Sequence, residues 1–179
     1  MDRVKVAESG SEWIIVPYRS TKAMTMFRGC YEHTMDAKGR LSLPSHFREV
    51  LTQRADPGHS GDAESLIITT GIERCLVAYP PAEWRAFENR LAGLSQFDPA
   101  VVQLKRIYVA GATECPIDKN GRLVVPPMLR EYAELEAETV WAGMVTTLEI
   151  WAKERWTEQQ AASRQDRTAI AHALTGLGL

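Results

Sequence analysis

Cysteine, long apolar runs and an excess of positive charge are all scarce in this sequence. Its 179 residues include three cysteines at positions 30, 75 and 115, so any disulfide scheme leaves one unpaired, which suits a reducing compartment. The apolar run at 13–16 is too short for a secretion signal or a membrane-spanning helix, which predicts a soluble, unexported protein. With a formal net charge of −2, any nucleic-acid binding must come from local placement of Lys and Arg.

The sequence does contain an internal duplication. Residues 29–49 and 111–131 align around an Asp-x-x-Gly-Arg core at a constant spacing of 82 residues. Further on, residues 71–79 match residues 143–151 at a spacing of 72 residues. The first copy therefore carries about ten extra residues, which fall in the Asp-, Gly-, Pro- and Ser-rich stretch 52–64 and predict a surface loop.

Each copy predicts a tight turn followed by a strand. Asp36 and Gly39 occupy positions i and i+3 of a type I turn, where Gly adopts the left-handed conformation that closes a hairpin. The same two residue types recur in the second copy. In the strand after the turn, side-chain alternation places Leu and Val on the core face and Arg40 or Arg122 on the outer face.

The remaining pattern predicts helices outside a set of strands. Pro44 and Pro126 begin short helices with apolar residues at i, i+3 and i+4. Further strands are expected at 66–70, 76–79, 139–141 and 148–151. Further helices are expected at 81–94, where Trp84, Phe87 and Leu91 share one stripe, and from Asp98 to about residue 110; residues 157–179 have weak helical character and are expected to be partly disordered.

The duplicated motifs at 36–41 and 118–123 resemble the MraZ family. Met-Phe-Arg-Gly at 26–29 precedes the first motif, and the Trp-containing segment 148–156 follows the second, so the resemblance covers residues 26–156. One Asp-x-x-Gly-Arg motif is weak, but two in register with both flanking segments are specific. The resemblance implies an α+β fold in which duplicated, swapped-hairpin AbrB-like half-barrels interlock into one small β-barrel with flanking helices.

The same resemblance implies a division of the chain into five parts. Family members usually begin at the position of Met26, so the residues before it are either a true extension or the product of a misassigned start. The expected parts are an N-terminal extension at 1–25, expected to be disordered, a first SpoVT-AbrB domain at 30–77, a helical connector at 78–111, a second SpoVT-AbrB domain at 112–155 and a C-terminal tail at 156–179.

The function implied by the resemblance is that of a sequence-specific transcriptional regulator rather than an enzyme. Family members bind tandem repeats in the promoter of the division and cell-wall gene cluster, and they do so as rings. The expected partners are therefore double-stranded promoter DNA and further copies of the chain, in a ring that is an octamer or larger, with no membrane partner. The expected location is the cytoplasm, associated with the nucleoid, and no cofactor or metal is expected.

Four basic residues are predicted to contact DNA: Arg28, Lys38, Arg40 and Arg48. The resemblance points most directly to Arg40, because the family's DNA contact is the Arg that follows the first turn. The four are expected to cluster around one hairpin, since a β-ribbon can enter a major groove, where Arg recognises guanine O6 and N7. Residues 28–49 hold four basic and three acidic side chains, so one protomer should bind weakly and a ring should compensate through effective concentration.

The second copy is expected to be more structural. Lys119, Arg122 and Arg130 are matched by as many acidic residues within 111–131. They are predicted to form a secondary DNA contact or an interface between protomers.

Other interpretations of the same residues stay open. The pseudo-equivalent Asp36 and Asp118 could share a proton as the paired carboxylates of a hydrolase do, although Gly three rather than two positions later favours turn caps. An AbrB-like antitoxin is a third possibility, which two full repeats in one chain disfavour. Cys30 and His33 have metal-ligand spacing, but no second pair completes four ligands. Trp84, Trp151 and Trp156 are expected in the core rather than as base-stacking platforms.

Overall fold

The structure, a computed structural model, describes residues 4–5, 15–16, 26–55, 58–59, 61–165 and 167–178. Most of the 1–25 extension, and with it the expected disorder, lies outside the described residues. Within the extension, β1 (Val4–Lys5) pairs antiparallel with β2 (Ile15–Val16). None of the helices built from the described residues combines the length and apolar character needed to traverse a bilayer.

The duplication is visible in the order of the elements. The first repeat comprises β3 (Cys30–Thr34), β4 (Arg40–Ser42), α1 (Ser45–Arg54), β5 (Ser65–Thr70), β6 (Leu76–Tyr79) and α2 (Pro81–Ala92). A connecting helix follows, α3 (Pro99–Leu104), which continues as a π-helical turn (Lys105–Val109). The second repeat comprises β7 (Thr113–Pro116), β8 (Arg122–Val124), α4 (Pro127–Tyr132), β9 (Glu138–Met144), β10 (Thr147–Ala152) and α5 (Lys153–Gln165), and α6 (Arg167–Gly176) comes last.

The strands form an antiparallel arrangement with pseudo-two-fold symmetry. One sheet has six strands in the order β3-β9-β10-β6-β5-β7, and a separate two-stranded ribbon joins β4 to β8. Exchanging each strand for its equivalent in the other repeat leaves both orders unchanged. The first strand of each repeat pairs with the other repeat, β3 with β9 and β7 with β5. The two repeats therefore form one interleaved unit.

The expectation of a local hairpin around each turn is wrong beyond the turn itself. Asp36 and Arg40 are linked by one backbone hydrogen bond of 3.0 Å, but β3 then pairs with β9 while β4 pairs with β8. The turn residues are set by local chemistry, whereas the strand partners are set by burial of apolar faces that neither repeat covers alone. The tight turn is thus confirmed and its strands diverge.

One hydrophobic core lies between the sheet and the ribbon. Its buried side chains come from both repeats: from the ribbon segments Leu41, Leu43, Leu123 and Val125, from α1 Phe47, Val50 and Leu51, and from the sheet Leu66, Ile68, Trp141, Leu148 and Ile150. The Trp141 indole N–H donates to the Ser42 carbonyl at 3.0 Å, which ties the sheet to the ribbon. The predicted inward face of the ribbon and of α1 is confirmed.

The helices that flank the sheet follow their sequence signals with some differences. Asp98 caps α3 by accepting from the Ala100 amide at 2.9 Å, as predicted, but the last turn is π-helical. The 157–179 region, predicted to have weak helical character, forms most of α5 and all of α6. In the 52–64 insertion, Asp62 is 5% exposed and accepts two hydrogen bonds from Arg85 on α2. Arg54 at the start of the same stretch pairs with Glu83 on that helix.

Candidate nucleic-acid interface

The first turn is organised by the two carboxylate oxygens of Asp36. Its Oδ1 accepts from the backbone amides of Lys38 and Arg40, both at 2.9 Å. Its Oδ2 accepts from Arg40 Nε at 2.6 Å. Gly39, at φ +79°, donates its amide to the Asp36 carbonyl at 2.8 Å. Asp36 therefore fixes both the backbone of the turn and the Nε end of the Arg40 guanidinium.

The second turn repeats this arrangement with one difference. Asp118 Oδ1 accepts from the amides of Asn120 at 2.8 Å and Arg122 at 2.9 Å. Its Oδ2 accepts from both Nε and Nη2 of Arg122, at 3.0 and 2.9 Å. Arg122 is therefore held by two guanidinium nitrogens, whereas Arg40 is held by Nε alone among the hydrogen bonds of the described residues.

Both turn carboxyls are stabilised in their ionised form. The Arg40 backbone amide, followed by the Arg40 guanidinium, lowers the pKa of Asp36 below its ordinary value of 3.8. The pKa of Asp118 is lowered in the same direction, first by the backbone amide of Arg122. A pair that shares one proton needs one carboxyl with a raised pKa. The backbone hydrogen bonds and the lowered pKa values are those of turn caps, and they favour that role over a paired-aspartate hydrolase.

The ribbon places the two motif arginines on the same face. Arg40 lies opposite Val124, Leu41 opposite Leu123, and Ser42 opposite Arg122. Because side chains alternate, the Leu pair points into the core while both arginines lie on the outer face, with side chains 41% and 38% exposed. In this diagonal relation the two arginines are roughly 7–8 Å apart at the backbone. The outer face therefore presents two arginines, each ion-paired with the aspartate of its own turn, and the predicted outward placement of Arg40 and Arg122 is confirmed.

The lysines of the two turns lie at their tips. Lys38 and Lys119 are both exposed. Lys38 comes two residues before Arg40 and Lys119 three residues before Arg122, so each turn carries one lysine and one arginine.

Arg48 and Arg130 lie at the turn of the opposite repeat. A Cβ atom added at Gly39 would be 2.9 Å from Arg130 Nε and Cζ, and one added at Gly121 would be 2.7 Å from Arg48 Cδ and Cζ. The prediction that Arg48 clusters with the first hairpin is therefore wrong. The interleaved strands bring α1, and Arg48 with it, to the second turn. The even spacing of the motifs identifies equivalent residues, but it does not show which repeat contacts which.

Arg28 lies away from both turns. The segment from Phe27 to Met35 is hydrogen-bonded at both of its ends: Phe27 pairs with Val145, and the Met35 amide donates to the Ala137 carbonyl. Across this extended stretch the eight steps from Arg28 to Asp36 correspond to roughly 26 Å at the rise of a β-strand. Arg28 is exposed at the far end of β3, so the structure does not bring it together with Lys38 and Arg40.

The other sequence candidates have simple placements. Cys30 is exposed and His33 is half-buried, and within the described part of the chain no group of three or more His, Cys, Asp or Glu side chains could hold a metal ion. Trp84 and Trp151 are 7% and 3% exposed, and Trp156 packs against Trp151 with ring centroids 5.7 Å apart. The prediction that these tryptophans are packing residues is confirmed.

Together these features define a class: a duplicated α+β protein whose two repeats share one core and present paired arginines on a two-stranded ribbon. A family model described as "MraZ protein, putative antitoxin-like" matches residues 26–107 and again residues 108–177. The chain belongs to the MraZ family. The resemblance drawn from the turn motifs is thereby confirmed, and the match extends beyond residue 156.

Curated relatives cover nearly the whole of the matched region. The transcriptional regulator MraZ of Syntrophobacter fumaroxidans is 39% identical over 153 residues, which are 86% of this chain and 97% of the relative. That of Desulforamulus reducens is 38% identical over 152 residues, 85% and 99% of the two chains. That of Desulfitobacterium hafniense strain Y51 is 37% identical over 154 residues, 86% of this chain and all of the relative.

Proposed function

We propose that this protein is a sequence-specific, double-stranded DNA-binding transcriptional regulator whose reading surface is the outer face of the β4–β8 ribbon. The observation that carries the proposal is the placement of Arg40 and Arg122 on that face, each anchored by its own turn aspartate. The names of its relatives as transcriptional regulators support the same class. We infer no catalytic role.

The chemistry of the ribbon suits a major groove. A two-stranded ribbon fits the groove, and a guanidinium donates two parallel hydrogen bonds to guanine O6 and N7. Arg40 uses only Nε to hold Asp36, so both terminal nitrogens remain for a base. Arg122 commits one more of its five N–H groups to Asp118, through Nη2, and is therefore held more firmly than Arg40. Arg40 keeps four N–H groups for DNA and Arg122 keeps three, which favours Arg40 as the principal reader. Lys38 and Lys119 supply phosphate contacts.

The proposal includes an oligomer. Asp36 and Asp118 offset part of the positive charge of the ribbon, so one protomer offers a weak electrostatic attraction to DNA. Several ribbons joined in a ring and facing tandem operator repeats gain effective concentration, which can raise affinity by roughly a hundredfold or more. The expected operator is the promoter of the division and cell-wall gene cluster, and the expected location is the cytoplasm at the nucleoid.

The interleaved strand pairing also supports the finer description of the fold as two swapped-hairpin, SpoVT-AbrB-type half-barrels closed into one small barrel. Each first strand leaves its own repeat to pair with the other. A full-length chain of this kind should behave as one cooperative folding unit.

A footprint of the purified protein on the DNA upstream of its own gene, combined with light scattering, tests the function. We expect protected stretches at regular intervals and an assembly mass of many protomers. A monomer that protects no upstream DNA would contradict both the operator and the ring.

A further inference from the structure

Each turn of the ribbon is covered by an arginine from the other repeat. At Gly39 the space that a side chain would need is filled by the guanidinium of Arg130, whose Nε and Cζ lie 2.9 Å from the Cβ position. At Gly121 the same space is filled by Arg48. Gly is therefore needed at each turn both for its positive φ and for this close approach.

The glycine carbonyl of each turn also accepts a backbone hydrogen bond from the other repeat. The Val125 amide donates to the Gly39 carbonyl at 2.9 Å, and the Leu43 amide donates to the Gly121 carbonyl at 2.9 Å. Val125 directly follows β8 and lies two residues before α4, the helix that carries Arg130. The end of the second ribbon strand and the helix that follows it thus hold the first turn together.

The two covering arginines are not equally fixed. Arg130 is half-buried, and its Nε is fully buried without a hydrogen-bond partner among the described residues. The neighbouring residues Leu129 on α4 and Phe47 on α1 are 1% and 0% exposed, so both helices are fixed against the core and the two arginines differ in their own burial. Arg48 is exposed. Arg130 is therefore more restricted by its surroundings than Arg48, because it is half-buried at the first turn.

We propose that Arg130 is a positioning residue that holds the first turn, and through it the direction of the Arg40 side chain, with Arg48 as its weaker counterpart at the second turn. The proposal rests on the proposed DNA-binding function. Recognition of a base edge requires the reading guanidinium to be held within a fraction of an ångström, which a neighbouring rigid element provides better than a loop alone. The reading surface of one repeat is then set by the other repeat.

Amide hydrogen exchange of the full-length protein without DNA tests the holding role directly. In Arg130→Met we expect exchange at the Gly39 and Arg40 amides to accelerate by about fivefold or more, with the second turn unchanged. In Arg48→Met we expect a smaller acceleration at Gly121 and Arg122 only. The proposal would be overturned if Arg130→Met accelerated exchange at the second turn alone, or if it caused no acceleration at the first turn. This experiment does not depend on whether the protein binds DNA.

Binding to an upstream operator fragment and to a scrambled fragment of equal length separates positioning from a phosphate contact. We expect Arg130→Met and Arg130→Lys alike to lower the preference for the operator by about tenfold, with Arg130→Lys keeping wild-type affinity for scrambled DNA. In the Arg40→Ala background, Arg130→Met should change the preference no further. An Arg130→Lys variant that recovers the full preference, together with equal losses on both fragments in Arg130→Met, would identify a phosphate contact and overturn positioning. A wild-type protein without preference refutes the DNA function, and the exchange pattern then decides the holding role alone.

Discussion

The two turns of the ribbon have the same backbone and different surroundings. Asp36 and Asp118 each accept two amide hydrogen bonds through Oδ1 and hold the arginine of their own turn through Oδ2. The first turn lies under the half-buried Arg130, while the second lies under the exposed Arg48. Duplication has therefore preserved the local chemistry that makes the turn, whereas the packing that holds it has diverged. The turn with the freer arginine is the turn with the firmer support.

Replacement of the turn glycines should give the largest loss of stability, and the loss should differ between the two turns. In Gly39→Ala the new Cβ meets the backbone carbonyl of Val125 at 2.9 Å as well as Arg130, so relief requires a shift of the main chain. In Gly121→Ala the three atoms nearest the new Cβ all belong to the exposed side chain of Arg48, which can move aside more easily than a main chain. Strain at positive φ is common to both variants, and Gly39→Ala adds the clash with the main chain. We therefore expect Gly39→Ala to lower the free energy of unfolding by about 2–4 kcal/mol and Gly121→Ala to lower it by less.

Denaturant unfolding monitored by tryptophan fluorescence measures both variants. Gly61→Ala is the matched control, since Gly61 has φ +109° with no atom within 4 Å of an added Cβ. Its expected loss is about 1 kcal/mol from backbone strain alone. Equal losses for Gly39→Ala and Gly121→Ala would contradict the difference in support between the turns.

Acid titration should give the smallest effect and should show the two turns behaving alike. Both aspartates have a lowered pKa in the folded protein, so their stabilisation is present in full above the ordinary value of 3.8 and is lost as the pH falls through the lower, folded value. We expect the stability difference between wild type and Asp36→Asn to narrow below pH 3.8, and Asp118→Asn to follow the same course. Urea unfolding at a series of pH values measures it. A difference that widens on acidification would contradict the cap role.

Local features of the fold could be predicted from the sequence because short-range chemistry sets them. Asp and Gly at fixed positions indicate each turn, and the alternation after it places Leu41 inward and Arg40 outward. The strand partners could not be predicted in the same way. The residues of β3 are compatible with a hairpin to β4, and only the need to bury both repeats in one core selects β9 instead.

The candidate site was predictable in its types of residue but not in its grouping. Arg40 and Lys38 were indicated by the turn motif itself. Arg48 and Arg130 exchange places because the helices that carry them cross to the other repeat, which motif spacing cannot reveal. Arg28 was grouped with the turn because it is close in sequence. In the structure it lies just before the start of the extended strand β3, whereas the turn follows the end of that strand.

The most direct test of the central claim is the preference of single-arginine variants for an upstream operator fragment over a scrambled one, measured by mobility shift. We expect Arg40→Ala to reduce this preference by about 10–100-fold and Arg122→Ala to reduce it less, since loss of one guanine-reading arginine costs about 1–3 kcal/mol. Arg90→Ala, which removes an exposed arginine on α2, should leave the preference unchanged. An Arg40→Ala protein that folds, assembles and keeps the wild-type preference would contradict the account.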